Sequence, residues 1–356
     1  MRHLHPTLLV ALALVLTTGP PARAQEDKEA EAAALRAERA AATSTFLDSS
    51  QPVAERLQAV TRLGYPDEET MSALVRIGAD TAEPDAVRLA ALEKARYDEP
   101  YLDTVFEIIA RPTESGELAS ELIYEVGRRT TFRQPAAVRQ RLQSALRDRL
   151  DDPRDPVRLA AYRVAVASHD MVAVDRLVQP LKDGDRPPIP LGDALELLDV
   201  DGPAKHLVTA RPFLRHPDAR VQAQALRVLA VDPESRGEVI ELVRSRSTAR
   251  VARVSGLRAL AREDEEYMAY ALRLVADRSE DADVRYAALE GGMIRLNYHN
   301  EPADSQVRFA LAVQALAAQP DGGVTSTGLD LGAEAKKLFD HLRRHFPAVR
   351  RHFAFR

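Results

Sequence analysis

Apolar and small residues recur along this chain in one block about every 32 positions. The block is centred on Val60, Leu92, Ile123, Tyr162, Leu195, Leu226, Leu257 and Leu289, at steps of 32, 31, 39, 33, 31, 31 and 32 residues. Before seven of these eight anchors stands a small residue: Ala59, Ala91, Ala161, Ala194, Ala225, Gly256 or Ala288; Leu122 precedes the eighth. A small residue beside a large apolar one lets two helix backbones approach closely. Four positions before the anchor stand Arg56, Arg88, Arg158, Arg253 and Arg285, with Ala119, Leu191 and Gln222 in the other three copies. A second amphipathic segment precedes each anchor segment. In 136–150, for instance, Val138, Leu142, Ala145, Leu146 and Leu150 share one face at helical spacing. Turn signals such as Asp151-Asp152-Pro153 and Ser279-Glu280-Asp281 separate the two, and Asp85, Asp155, Asp218 and Asp281 stand where helix N-caps belong.

A repeat of this length denotes stacked helical hairpins, none of which can bury its apolar face alone. The pattern predicts an all-α chain, an α-α superhelix spanning 25–346. Its eight hairpins fall at 26–63, 66–96, 99–129, 136–167, 170–199, 203–231, 235–261 and 264–296, and a capping helix pair at 303–318 and 329–346 closes it. The 39-residue step places an insertion at Arg128–Gln134, and Lys182–Pro190 interrupts the fifth hairpin. Gln319–Gly328 reads as a mobile loop. Residues 347–356 read as a basic C-terminal tail, with phenylalanines suited to packing on the array end.

The first 24 residues have another character. Arg2, an apolar run from Leu8 to Leu16 and Ala22-Arg23-Ala24 form the three parts of a secretory signal peptide, so export to a periplasm or the cell exterior is expected. No apolar stretch is long enough for a membrane span. The chain has no cysteine, which excludes disulfides and thiolate metal sites. Net charge is −5, or −7 without Arg2 and Arg23, so nucleic acid is not the expected partner.

The copies Asp85-Ala86-Val87-Arg88, Asp155-Pro156-Val157-Arg158 and Asp283-Val284-Arg285 resemble HEAT repeats, in particular the short bacterial type also found in phycobilin lyase subunits. The resemblance implies a ladder between neighbouring hairpins in which Arg88, Arg158 and Arg285 pair with Asp85, Asp155 and Asp281 or Asp283, broken where Ala119 and Leu191 replace arginine. It also implies that the second helices line a concave side. The residues after the anchors then face it, and Tyr124, Arg163, Arg227 and Arg258 are the candidate partner contacts.

Chemistry-bearing motifs are sparse. The His-Glu pairs used by di-iron hydroxylases on this scaffold are missing, and His169-Asp170 is the nearest approach. H-E-x-x-H, G-x-S-x-G, P-loop and G-x-G-x-x-G patterns are absent. His341 and His345 share a helix face without a nearby third ligand and read as surface residues; Gly291-Gly292 reads as a close-packing site, and Glu263–Glu266 as an acidic helix start. No catalytic residue, cofactor or metal is therefore expected. Arginines cluster at 128–163 and 244–262, which admits an anionic ligand. The expected function is a non-catalytic protein–protein scaffold or adaptor of the cell envelope. Two alternatives stand beside it: an enzyme or accessory subunit with a groove site built from several repeats, and a binder of an anionic envelope polymer or lipid.

Overall fold

Seven of the eight anchors are sealed from water: Leu92, Ile123, Tyr162, Leu195, Leu226, Leu257 and Leu289 are at most 2% exposed. Each such side chain contributes about 1.5–3 kcal/mol by leaving water. In the first hairpin Ala59 and Leu63 are buried instead, and Val60 is half-buried. The computed structural model describes residues 22–95, 99–130, 136–264, 266–319 and 323–354. The basic and apolar parts of the expected signal peptide, within 1–21, and most of the expected insertion, 131–135, lie outside the described residues.

The chain divides into two compact units, Met1–Ala161 and Tyr162–Arg356. Both are built from stacked helical hairpins, and the only extended pairing among the described residues is one bridge, Val324 to Asp330. The first unit holds α1 (Ala22–Leu47), α2 (Val53–Arg62), α3 (Glu68–Ala79), α4 (Asp85–Lys94), α5 (Glu99–Ala110), α6 (Gly116–Thr130), α7 (Ala136–Arg147) and the start of α8 (Asp155–Ala167). The second continues with α9 (Met171–Asp183), α10 (Leu191–Asp201), α11 (Leu207–Ala210), α12 (Ala219–Leu229), α13 (Arg236–Arg244), α14 (Arg250–Glu263), α15 (Tyr267–Ala276), α16 (Ala282–Tyr298), α17 (Ala303–Ala317), α18 (Leu331–His345) and α19 (Pro347–Ala354). Within it the second helices α10, α12, α14 and α16 pack successively on one another.

Small residues are used as the pattern implies. A Cβ at Gly256 would lie 2.5 Å from Val243, and one at Gly292 would lie 2.2 Å from Phe309, so only glycine permits these helix approaches. One segment departs from expectation. Instead of a single helix, 203–213 is a short α11 between two 3-10 turns. Pro203 and Pro212 explain the break, because proline lacks the N–H that a continuous helix needs.

Four of the five arginines four before the anchor are buried, Arg158 being half-buried, and three of the four close the same bridge. Arg56, Arg88 and Arg253 donate from Nε to the carbonyls of Phe46, Gly78 and Val243, at 2.9, 3.1 and 2.9 Å. Each acceptor is the penultimate residue of the preceding helix, where carbonyls lack helical partners and the dipole is negative. The two Nη atoms then grip a glutamate of the next hairpin: Glu83 at 2.6 and 2.9 Å, Glu114 at 2.6 and 2.7 Å, and Glu280 at 2.8 and 2.7 Å. Arg285 repeats the move with Val275 and with Gln319, a neutral acceptor at 3.1 Å. Hydrogen bonds from Arg88 hold the Glu114 carboxyl below the usual range against its burial. Burial pushes the Glu280 carboxyl up, but bonds from Arg253 and the Asp281 N–H outweigh it and leave it lowered.

These partners differ from the expected aspartates. Asp85 and Asp155 sit at the first position of their helices and touch Arg88 and Arg158 only within the same hairpin. Asp283 pairs with Arg250 at 2.9 Å rather than with Arg285. The reason is geometric: an aspartate at the helix start looks along its own turn, whereas a glutamate just before the helix reaches the neighbouring hairpin. Asp281 does cap its helix, accepting from the Asp283 N–H.

One loop reading is also revised. Residues 323–330 are tied down: the Thr325 N–H donates to Leu329 O at 2.9 Å and the Ser326 N–H to Asp283 at 3.0 Å. Residues 347–354 are helical, with Val349 buried and Phe353 edge-on to Phe339 at 5.0 Å.

Arg253→Met should leave Glu280 buried without its partner and lower stability by about 3–5 kcal/mol in urea titration. The double variant with Glu280→Met should regain most of that loss. Equal damage from single and double variants would show that the pair itself is not what the fold relies on.

Candidate functional site

The second helices of the second unit carry a stripe of half-exposed side chains at helical spacing. On α12 these are Arg220, Gln224 and Arg227, beside buried Ala223, with Val231 just past the helix end; on α14, Val251, Val254, Ser255, Arg258, Ala259, Arg262 and Glu263. With Asp199 of α10 and Pro203 they line a recess of about 690 Å³. Its floor is made of small side chains because close helix packing demands them. Its walls are long arginines, whose stems cover apolar surface while their heads stay wet.

Charge in this recess is uneven: four arginines face two carboxylates. Arg227 is committed to Asp199 at 2.6 Å, and Arg258 reaches across to Glu290 of α16 at 2.8 Å. The guanidinium groups of Arg220 and Arg262 make no hydrogen bond or ion pair among the described residues. Beyond Arg258 and Arg262 the groove continues into a second recess of about 540 Å³ between α14, α16 and α18. Burial, and then the charges of Glu290 and Glu334, push the Tyr286 phenol there above its ordinary pKa. The groove thus offers fixed positive charge beside an apolar chamber, an arrangement suited to holding and orienting an anionic group.

The structure separates the four residues singled out from sequence. Arg227 and Arg258 line the groove. Arg163, on α8, pairs instead with Asp193 at 2.8 Å and lies outside that lining. Tyr124 is half-buried on α6 of the first unit. Arg220 and Arg262 were missed, because they fall six before and five after an anchor rather than directly after one.

A second missed set lies at the far ends of the second helices. Asp201, Asp232 and Asp264 recur at 31 and 32 residues and are at most 4% exposed. Asp201 takes His206 at 2.8 Å and Lys205 at 3.3 Å; Asp232 takes Arg211 at 2.8 Å and Ser235 at 2.6 Å; Asp264 takes Arg236, and Tyr270 at 2.8 Å. Bonds from Arg211 hold the Asp232 carboxyl down at about 2. Burial raises the Asp201 carboxyl, but bonds from His206 and Lys205 leave it lowered on balance. The acidic run 263–266 is therefore not merely a surface helix start. His341 and His345 stack at 4.4 Å on α18, and among the described residues no three ligating side chains gather for a metal ion.

The chain matches no protein-family profile and no curated protein. Among solved structures it is similar to a chain of the complex of CpcE and CpcF of phycocyanin lyase from Nostoc sp. PCC7120. Identity is 18%, the TM-score is 0.34, and the match covers 85% of this chain and 93% of the other. The expectation of a non-catalytic protein is corrected here. The finding set against it is that the similar chain belongs to a phycocyanin lyase complex.

Arg258 is half-exposed, unlike the buried Arg253. Arg258→Ala should lower stability by less than about 1 kcal/mol in thermal melts. A loss as large as that of Arg253→Met would make the groove-side pair part of the fold's foundation rather than of a binding face.

Proposed function

We propose that this chain is an accessory subunit of an enzyme and holds a protein partner in the groove of its second unit. One observation carries the reading: polar and charged side chains from three successive hairpins converge on one recess, with two of its arginines, Arg220 and Arg262, not spent on internal pairs. Ladder arginines such as Arg253 are buried and bidentate, so they serve the fold. Arg220 and Arg262, by contrast, keep donors available to a ligand, and arginine binds carboxylates well through its planar fork.

Affinity capture of the full chain from its own cells should enrich an enzyme, and adding the purified chain should raise that enzyme's turnover severalfold. A chain with Arg220→Glu and Ala259→Glu should do neither. Turnover indifferent to the chain would overturn the accessory reading.

Export is part of the same proposal, supported by Arg2, the Leu8–Leu16 run and Ala22-Arg23-Ala24. N-terminal sequencing of the mature protein should begin at Gln25. A chain that retains Met1 and stays in the cytosol would remove it.

A further inference from the structure

The recess between α14, α16 and α18 differs in chemistry from the rest of the groove. Tyr286, Met293 and Ile294 of α16 and Leu338 of α18 present half-exposed apolar surface there, over a buried Leu289. Most charges at its rim are already paired: Arg258 with Glu290, and Lys337 with Glu334 at 2.7 Å. Arg262 is the exception. It is exposed, makes no ion pair among the described residues, and lines both this recess and the larger cationic one.

We propose that the groove takes an extended segment of a partner protein, acidic at one end and apolar at the other. A carboxylate of the segment sits on Arg262, further acidic groups face Arg220, and apolar side chains enter the chamber between α16 and α18. This deepens the groove reading above and rests on it. Two facts favour a peptide of this pattern. The larger recess has four arginines to two carboxylates, so it complements acidic groups, and the apolar chamber is continuous with it through Arg258 and Arg262. Neighbouring helices sit about 8–10 Å apart, so the run from α12 across α14 and α16 to α18 is on the order of 30 Å, the reach of about nine extended residues. A compact small molecule fills one recess but not both.

The test uses fluorescence anisotropy with the full chain and two labelled peptides, each about ten residues long. One has two glutamates at one end and leucines at the other; its counterpart carries lysines in place of the glutamates. The acidic peptide should bind, the basic one should bind at least about tenfold more weakly, and added salt should weaken the acidic complex. Arg262→Glu and Met293→Glu should each weaken it about tenfold with circular dichroism and melting unchanged, since Arg262 is exposed and Met293 is only half-buried. Equal binding of the two peptides, no binding of the acidic one, or indifference to Arg262→Glu overturns the proposal. So does displacement of the peptide by dodecanoate at equal concentration, which would assign the chamber to a small amphiphile. Enzyme stimulation that is lost with Arg220→Glu and Ala259→Glu but kept with Arg262→Glu and Met293→Glu would sink this inference while the groove reading stands.

Discussion

The structure depends on a buried guanidinium that joins three backbone elements at once. Arg56, Arg88 and Arg253 each tie the end of one helix to the first turn of the next and to the entry of the second helix of the following hairpin. Apolar stacking drives the hairpins together but has no direction of its own. The clamp supplies direction, since a planar fork meets a carboxylate in one geometry only. Burying such a pair brings little net stability compared with apolar side chains of the same volume. What it fixes is register: a hairpin that slipped by a turn would strand a charge in the core.

The anchors, the small residues beside them and the hairpin order were legible in the sequence because helical packing repeats strictly with the chain. The arginine position was legible too, but its partner was not. Asp85 and Asp155 attracted attention by sitting three residues from the arginine. The true partner lies nine residues before the next anchor, where Glu83, Glu114 and Glu280 stand. That relation runs between copies. After Arg56, Arg88 and Arg253 the following copy carries glutamate; after Gln222, which bonds the Leu214 carbonyl instead, that place holds buried Thr248. Arg158 is followed by Arg186 at the corresponding position, and it stays partly exposed against Asp155. Comparing each copy with its neighbour, rather than with an average copy, reveals the pairing.

The groove was harder to read for a physical reason. A wall residue and a solvent residue look alike in sequence when both are arginine, and only the pairing state separates them. Arg163, Arg227 and Arg258 are held by carboxylates about one repeat away, so their charge is largely spent inside the array. Arg220 and Arg262 are not so held, and no periodic rule marks them. Tyr124 drew notice as an aromatic residue, yet it belongs to the other unit.

The clamps are unevenly distributed. Two lie in Met1–Ala161, ending at Glu114, and the others begin at Arg253, deep in Tyr162–Arg356. The intervening hairpins, with Ala119, Leu191 and Gln222 at the clamp position, rely on packing and on the aspartate row at the opposite helix ends. Tension or thermal fraying transmitted along the chain meets a rivet at either end and none between. The stretch that can breathe without breaking a buried arginine–glutamate clamp is therefore the middle one, which borders the cationic recess.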